Sequence, residues 1–138
     1  MFEKVLVTDG TLRRKVYELR YQVYVVERGF ESPEDHPDGL ECDVYDDHAA
    51  HTLLVDSASG RLAGTVRLIL TRPGCPWGSL PIHRVCNDPM FLGTDHMPIN
   101  RMGEVSRFCI SRDFRRTYSE SSHGAGMLDG PAAKVFPL

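Results

Sequence analysis

Apolar residues at Leu12, Val16, Leu19, Val23 and Val26 recur at spacings of three and four, which predicts one amphipathic helix from about Thr11 to Glu27. Thr8, Asp9 and Thr11 are all available as its N-cap. Before it, Lys4 to Thr8 reads as a short strand closed by Asp9-Gly10. After it, Gly29, Pro33, Pro37 and Gly39 break any period, and a long acidic loop from Arg28 to Asp47 collects Glu31, Glu34, Asp35, Asp38, Glu41, Asp43, Asp46 and Asp47. Alternation returns at His51 to Asp56 and at Arg61 to Leu70. The intervening Ser57-Ala58-Ser59-Gly60 predicts an antiparallel hairpin. Thr71 to Gly103 is a second long connection, broken by Pro73, Pro76, Pro81, Pro89 and Pro98, with one helical turn expected near Leu80 to Cys86. Its scattered Trp77, Leu80, Ile82, Met90, Phe91, Leu92 and Met97 suit either a wall over a greasy ligand or packing onto the domain's own core. Glu104 to Ser111 predicts a fourth, buried strand, and Arg112 to Arg116 the start of a helix.

Three charges break this pattern. Along the third strand Val66, Leu68 and Leu70 take one face, and Thr65, Arg67 and Ile69 the other. Leaving Arg67 buried without a partner would cost on the order of 3–5 kcal/mol, so Asp43, Asp46 or Glu104 must approach it, or it must hold a ligand. In the fourth strand Glu104 and Arg107 are three residues apart and face opposite sides, so they share a site only if a bulge adds a residue. Otherwise they serve two networks. On the helix, Arg20, Tyr24 and Tyr17 fall beside the apolar stripe, where a pocket wall would lie. A structural ion-pair network and a substrate pocket both fit these placements.

Composition narrows the class. A chain of 138 residues with 41% hydrophobic and 25% charged residues suits one soluble globular domain. With 16 basic against 19 acidic residues it offers no broad electropositive surface, which argues against nucleic acid. Cys42, Cys75, Cys86 and Cys109 form no close pair, and reduced thiols in the cytoplasm are expected. The N-terminus does not read as a signal peptide, and no apolar run has the length of a transmembrane segment. Other chemistries have weaker footing. Asp46, Asp47, His48 and His51 have metal-ligand composition, but the two imidazoles fall on opposite faces of a strand, so no metal is expected. Gly124-Ala125-Gly126 lacks the strand and helix of a phosphate loop, and no local pattern marks one thiol as a nucleophile.

Taken in order, Leu19-Arg20-Tyr21-Gln22-Val23-Tyr24, Glu41-Cys42-Asp43-Val44-Tyr45-Asp46, Gly64-Thr65-Val66-Arg67-Leu68 and Glu104-Val105-Ser106-Arg107-Phe108 resemble the signatures of the autoinducer synthases that make N-acylhomoserine lactones. The likeness is closer to the acyltransferases associated with PEP-CTERM/exosortase systems, through Arg20 to Phe30, His36-Pro37-Asp38-Gly39-Leu40-Glu41, the His51 strand and Glu104 to Phe114. Both groups, with the N-acyl amino acid synthases, resemble the GNAT superfamily. The resemblance spans roughly Val16 to Arg116.

It implies a GNAT-like α/β fold with a mainly antiparallel sheet and a long first helix. It also implies transfer of a fatty acyl group from an acyl carrier protein or coenzyme A thioester, with no bound cofactor, to the amine of an amino acid or similar small acceptor. Carried over, Glu104 is the catalytic base or its orienter, and Arg20, Tyr24, Asp43, Asp46, Arg67 and Arg107 are substrate-binding, with backbone N–H groups of the fourth strand at the oxyanion. The autoinducer synthases have a tryptophan shortly after the first helix. Here Phe30 is the nearest aromatic, which favours an amino acid over S-adenosylmethionine as acceptor. A further parallel strand and a pyrophosphate loop are not visible. Residues 1–116 are therefore expected to be the N-terminal part of such a domain, 117–138 an irregular tail, and the chain a piece of a longer acyltransferase. On that view an inactive fragment or a small binding module is the alternative to an enzyme.

Overall fold

The computed structural model describes residues 1–88 and 98–115, together with the backbone of Lys134–Pro137. Asp9 caps the first helix, its Oδ1 accepting from the Leu12 N–H at 2.8 Å, and α1 runs Gly10–Tyr21. The helical path then continues as a π-helical segment, Gln22–Glu27, in which the Arg28 N–H donates to the Val23 carbonyl at 3.1 Å. The wider turn lets three consecutive residues, Val23, Tyr24 and Val25, face inward, and it rotates Val26 out of the stripe to 59% exposure. The expected single helix is thus two kinds of helix. Gly29, at φ +64°, stops it in the left-handed conformation.

The strands form one sheet in the order β1-β2-β3-β4-β5, each pairing antiparallel: β1 Phe2–Leu6, β2 Ala49–Asp56, β3 Leu62–Leu70, β4 Met102–Ile110 and β5 Lys134–Pro137. The β2–β3 hairpin and the Arg67 face alternation are as expected. Residues 134–137, inside the stretch read as an irregular tail, pair with Met102–Val105 of β4. Beyond Val105 that edge of β4 has no partner among the described strands. A single helical turn, α2 Ile82–Val85, stands where one was expected, and 112–115 is helical.

One sheet face is buried, and on it lie two apolar clusters. Val16, Leu19, Val23, Tyr24, Leu53 and Cys109 join α1 to the sheet, while Ile69, Leu80 and Met102 gather Tyr45, Ala49, Ile82 and Ile99. The described part of the second long connection therefore packs on the domain's own core; Met90, Phe91, Leu92 and Met97 lie outside the described residues. Between the clusters, each central strand places polar side chains: His51 between Ala49 and Leu53 on β2, Arg67 before Ile69 on β3, and Glu104 and Ser106 between Met102 and Cys109 on β4.

The β3–β4 register carries the irregularity on which the site depends. Arg67 pairs with Ser106 and Thr65 with Cys109, so Arg107 and Phe108 together oppose Val66. Arg107 has φ +51°, the left-handed region that costs an L-residue on the order of 1–2 kcal/mol. Of the two alternatives for Glu104 and Arg107, a bulge or two separate networks, the bulge is present. It turns Arg107 toward the face that Glu104 and Ser106 share. Gly64 permits the strands to close behind it, since a Cβ there would stand 2.6 Å from the Cys109 carbonyl oxygen.

Candidate active site

Three arginines from α1, β3 and β4 meet three carboxylates of the acidic loop in a closed alternating circuit. Arg20 donates through Nε to Glu41 Oε2 and through Nη1 and Nη2 to Asp46, at 2.8 and 3.2 Å. Asp46 Oδ1 also accepts from Arg67 Nη1 at 2.9 Å, and Arg67 holds Asp43 through Nη1 and Nη2 at 2.7 and 3.1 Å. Asp43 Oδ2 meets Arg107 Nη2 at 3.5 Å, and Arg107 Nε returns to Glu41 Oε1 at 3.0 Å. Paired forks of this kind satisfy both charge and geometry. The circuit is neutral as a whole.

Its members differ in depth. Arg20, Glu41, Asp46 and Arg67 are buried, whereas the side chains of Asp43 and Arg107 keep 27% and 24% of their surface. Glu31, on the same rim, reaches Arg107 Nη2 at 3.4 Å. Tyr24 lies beneath the bulge: its hydroxyl donates to the Phe108 carbonyl at 3.2 Å, and the Arg107 guanidinium stands 5.6 Å over its ring. Glu104 is buried, and its Oε2 accepts from the Ile82 N–H at 2.9 Å.

Burial and pairing compete at each group. Burial opposes the charge of Arg20, but its bonds to Glu41 and Asp46 prevail and hold it more firmly protonated than usual. Burial likewise works against ionised Asp46, yet the Arg20 bond and the Arg20 and Arg67 charges bring its pKa down to about 2. Arg107 follows Arg20, with burial outweighed chiefly by the Glu41 charge. For Glu104 burial wins. Its carboxyl lies above the usual range despite the Ile82 N–H and the Arg67 charge, and the Asp43 charge adds to the rise. Burial also raises Tyr24, and it drives His51 down to about 4 against the pull of Asp46.

All seven residues singled out in the sequence gather on this face. Glu104 and Arg107 touch different partners directly, with Asp43 beside both. Of the three arginines, Arg20 and Arg67 are committed to internal carboxylates and Arg107 alone reaches the surface. Sequence reasoning missed Glu41, which stood in a quoted motif and proves to be the carboxylate shared by Arg20 and Arg107. It also missed Ser106, whose hydroxyl accepts from Arg67 Nε at 3.0 Å. Alternation with Glu104 was the signal for Ser106.

The weaker site readings scatter. Asp46 enters the circuit, His48 Nε2 lies 2.8 Å from the Ser79 carbonyl, and Asp47 is exposed. Among the described residues no group of His, Cys, Asp and Glu has metal-holding geometry. Burial raises the Cys109 thiol to about 12, unsuited to a nucleophile, and Gly124 to Gly126 lie outside the described residues. A surface depression of about 330 Å3 lined by Thr71, Arg72, Pro73, Gly74 and Asn100 lies past the end of β3, and no circuit residue lines it.

An antiparallel sheet under a long first helix is the arrangement the sequence resemblance implied. A family model described as an acetyltransferase (GNAT) domain matches residues 19–122, well over half of the chain. The chain belongs to the GNAT acetyltransferase family. No curated protein and no solved structure gave a match. As a GNAT domain the chain has the general character of an N-acyltransferase, and members of this family typically draw the acyl group from acyl-CoA. No helix among the described residues is long and apolar enough to cross a membrane.

Proposed function

We propose that this GNAT domain moves a fatty acyl group from an acyl-carrier-protein or coenzyme A thioester to the amine of an amino acid or similar small acceptor, in the manner of the acyltransferases associated with PEP-CTERM/exosortase systems. The bulge at Arg107 and Phe108 is the observation that carries this reading. It takes backbone amides out of the β3–β4 ladder at the part of β4 whose other edge has no described partner, beside an acidic rim. Backbone N–H groups so placed suit the oxygen of a thioester carbonyl as it gains charge.

In the transfer, the amine nitrogen attacks the carbonyl carbon, a C–N bond forms and the C–S bond breaks. The sulfur leaves as a thiol carrying the equivalent of the proton the amine gives up. Glu104 serves as the base, or orients the water that takes the proton, since burial has moved its carboxyl toward the range useful at neutral pH. Asp43, at the rim, receives the incoming ammonium, and Arg107, the one arginine of the circuit with exposed surface, faces an acceptor carboxylate. Arg20, Asp46 and Arg67 hold these two in place from below, and Tyr24 holds the bulge. Exposed Phe30 and Phe108, flanking Tyr24, offer apolar surface to an acyl chain.

The test is thiol release from decanoyl and hexadecanoyl thioesters of acyl carrier protein and of coenzyme A, each with a panel of amino acids and with S-adenosylmethionine. Amine-dependent release with an amino acid supports the reading. Release only with S-adenosylmethionine identifies an autoinducer synthase instead. No release with any donor removes the enzyme and leaves a binding module.

A further inference from the structure

Glu41 is buried with both carboxylate oxygens taken up by arginines, and it makes the shortest carboxylate contacts to the guanidinium of the residue that forms the bulge. Its Oε1 accepts from Arg107 Nε at 3.0 Å and lies 2.9 Å from Nη2, while Glu31 and Asp43 meet the same guanidinium only at 3.4 and 3.5 Å. Its other oxygen is fixed by Arg20, and its own N–H donates to the Tyr17 carbonyl at 3.2 Å, so both its backbone and its side chain are tied to α1. Arg107 has the only positive φ among the described non-glycine residues. Such a conformation persists only where its surroundings hold it. Two ties do so here, the Tyr24 hydroxyl on the Phe108 carbonyl and the Glu41 carboxylate on the Arg107 guanidinium.

We propose that Glu41 is a positioning residue: pulling on Arg107 from the interior, it holds the β4 bulge in its left-handed form and so keeps the amides of residues 107 and 108 where a thioester carbonyl can meet them. Its catalytic consequence rests on the acyl-transfer reading above; its structural consequence does not. The charge matters as well as the reach, because an amide at position 41 has one oxygen for two guanidinium groups and turns its NH2 toward one of them.

The experiment compares Glu41→Gln and Glu41→Asp with Glu34→Gln, an exposed carboxylate of the same loop, by amide hydrogen exchange and steady-state kinetics. Glu41→Gln is expected to raise exchange at 106–109 by about tenfold or more, leaving Leu62–Leu70 protected as in the wild type. It is expected to lower kcat by about tenfold with the KM for the amine changed less than about threefold. Glu41→Asp, which keeps the charge but retracts it, falls between, and Glu34→Gln changes nothing. Glycine accepts the bulge conformation without being held, so in an Arg107→Gly background adding Glu41→Gln should not speed exchange further. If Glu41→Gln does not fold, the Glu41→Asp comparison decides. Unchanged exchange at 106–109, or an equal rise on the Arg107→Gly background, overturns the proposal. A wild-type protein inert with every thioester removes the acyl-transfer reading, and the exchange comparison still decides whether Glu41 holds the bulge.

Discussion

Arg20 on α1 grips Asp46 through both carboxylate oxygens, at 2.8 and 3.2 Å, with both side chains sealed from solvent. Removing one partner leaves the other as a buried, uncompensated charge. Asp46→Ala is therefore expected to cost about 3–5 kcal/mol, measured as a shift of the urea midpoint. Replacing both residues by apolar ones, Arg20→Met with Asp46→Leu, still leaves Glu41 and Arg67 each short of one partner, so it recovers only part of the loss.

His51 lies buried with neither ring nitrogen hydrogen bonded, and its pKa is about 4 against an ordinary 6.5. The unfolded chain takes up that proton first as pH falls, so stability present above pH 6.5 is lost between 6.5 and about 4. The contribution is on the order of 3 kcal/mol. Asp46, ionised in the fold down to about 2, adds a separate loss below 3.8. Urea titrations from pH 4 to 7 should show His51→Phe with a flatter profile than the wild type, and parallel profiles would refute the assignment.

Glu104→Gln tests the base. The amide oxygen can still accept from the Ile82 N–H, and it removes an ionisation that burial disfavours, so stability at pH 7 should not fall. Turnover should drop by about 10²–10⁴-fold. Because the Glu104 pKa is raised above 4.5, the acid limb of wild-type kcat/KM should lie above that value and activity should rise with pH through it. The variant's residual rate should lack that limb.

Gly64→Ala puts a methyl group against the Cys109 carbonyl oxygen, where the ideal separation is 2.6 Å. Backbone must yield, and the neighbouring bulge is the point of least resistance. A loss of about 1–3 kcal/mol is expected, with thioester turnover reduced more than stability alone explains. Normal kinetics in this variant would show that the bulge tolerates displacement.

The strand charges were the legible part of the site. Arg67 among Val66, Leu68 and Ile69 had to find a carboxylate or a ligand, and Glu104 with Arg107 could share a site only across a bulge; each follows from the two-residue period of a strand. The acidic loop has no such period. Asp43 and Asp46 stand out through their motif and the need of Arg67 for a partner, but no spacing separates Glu31 and Glu41, which also meet arginines, from the exposed Glu34, Asp35, Asp38 and Asp47. The π-helical end of the first helix was also hidden, because the spacing that put Val26 in the stripe assumes an unbroken α-helix.

The circuit joins α1, the acidic loop, β3 and β4, with pairs separated by up to 66 positions in the chain. During folding it can be completed only when β4 arrives; until then Glu41 and Asp43 each hold one of their two guanidinium partners, and the three carboxylates face two arginines. Half-assembled forms thus carry unmatched ions in a greasy interior and are disfavoured, so the ring acts as a proofreading step for the topology.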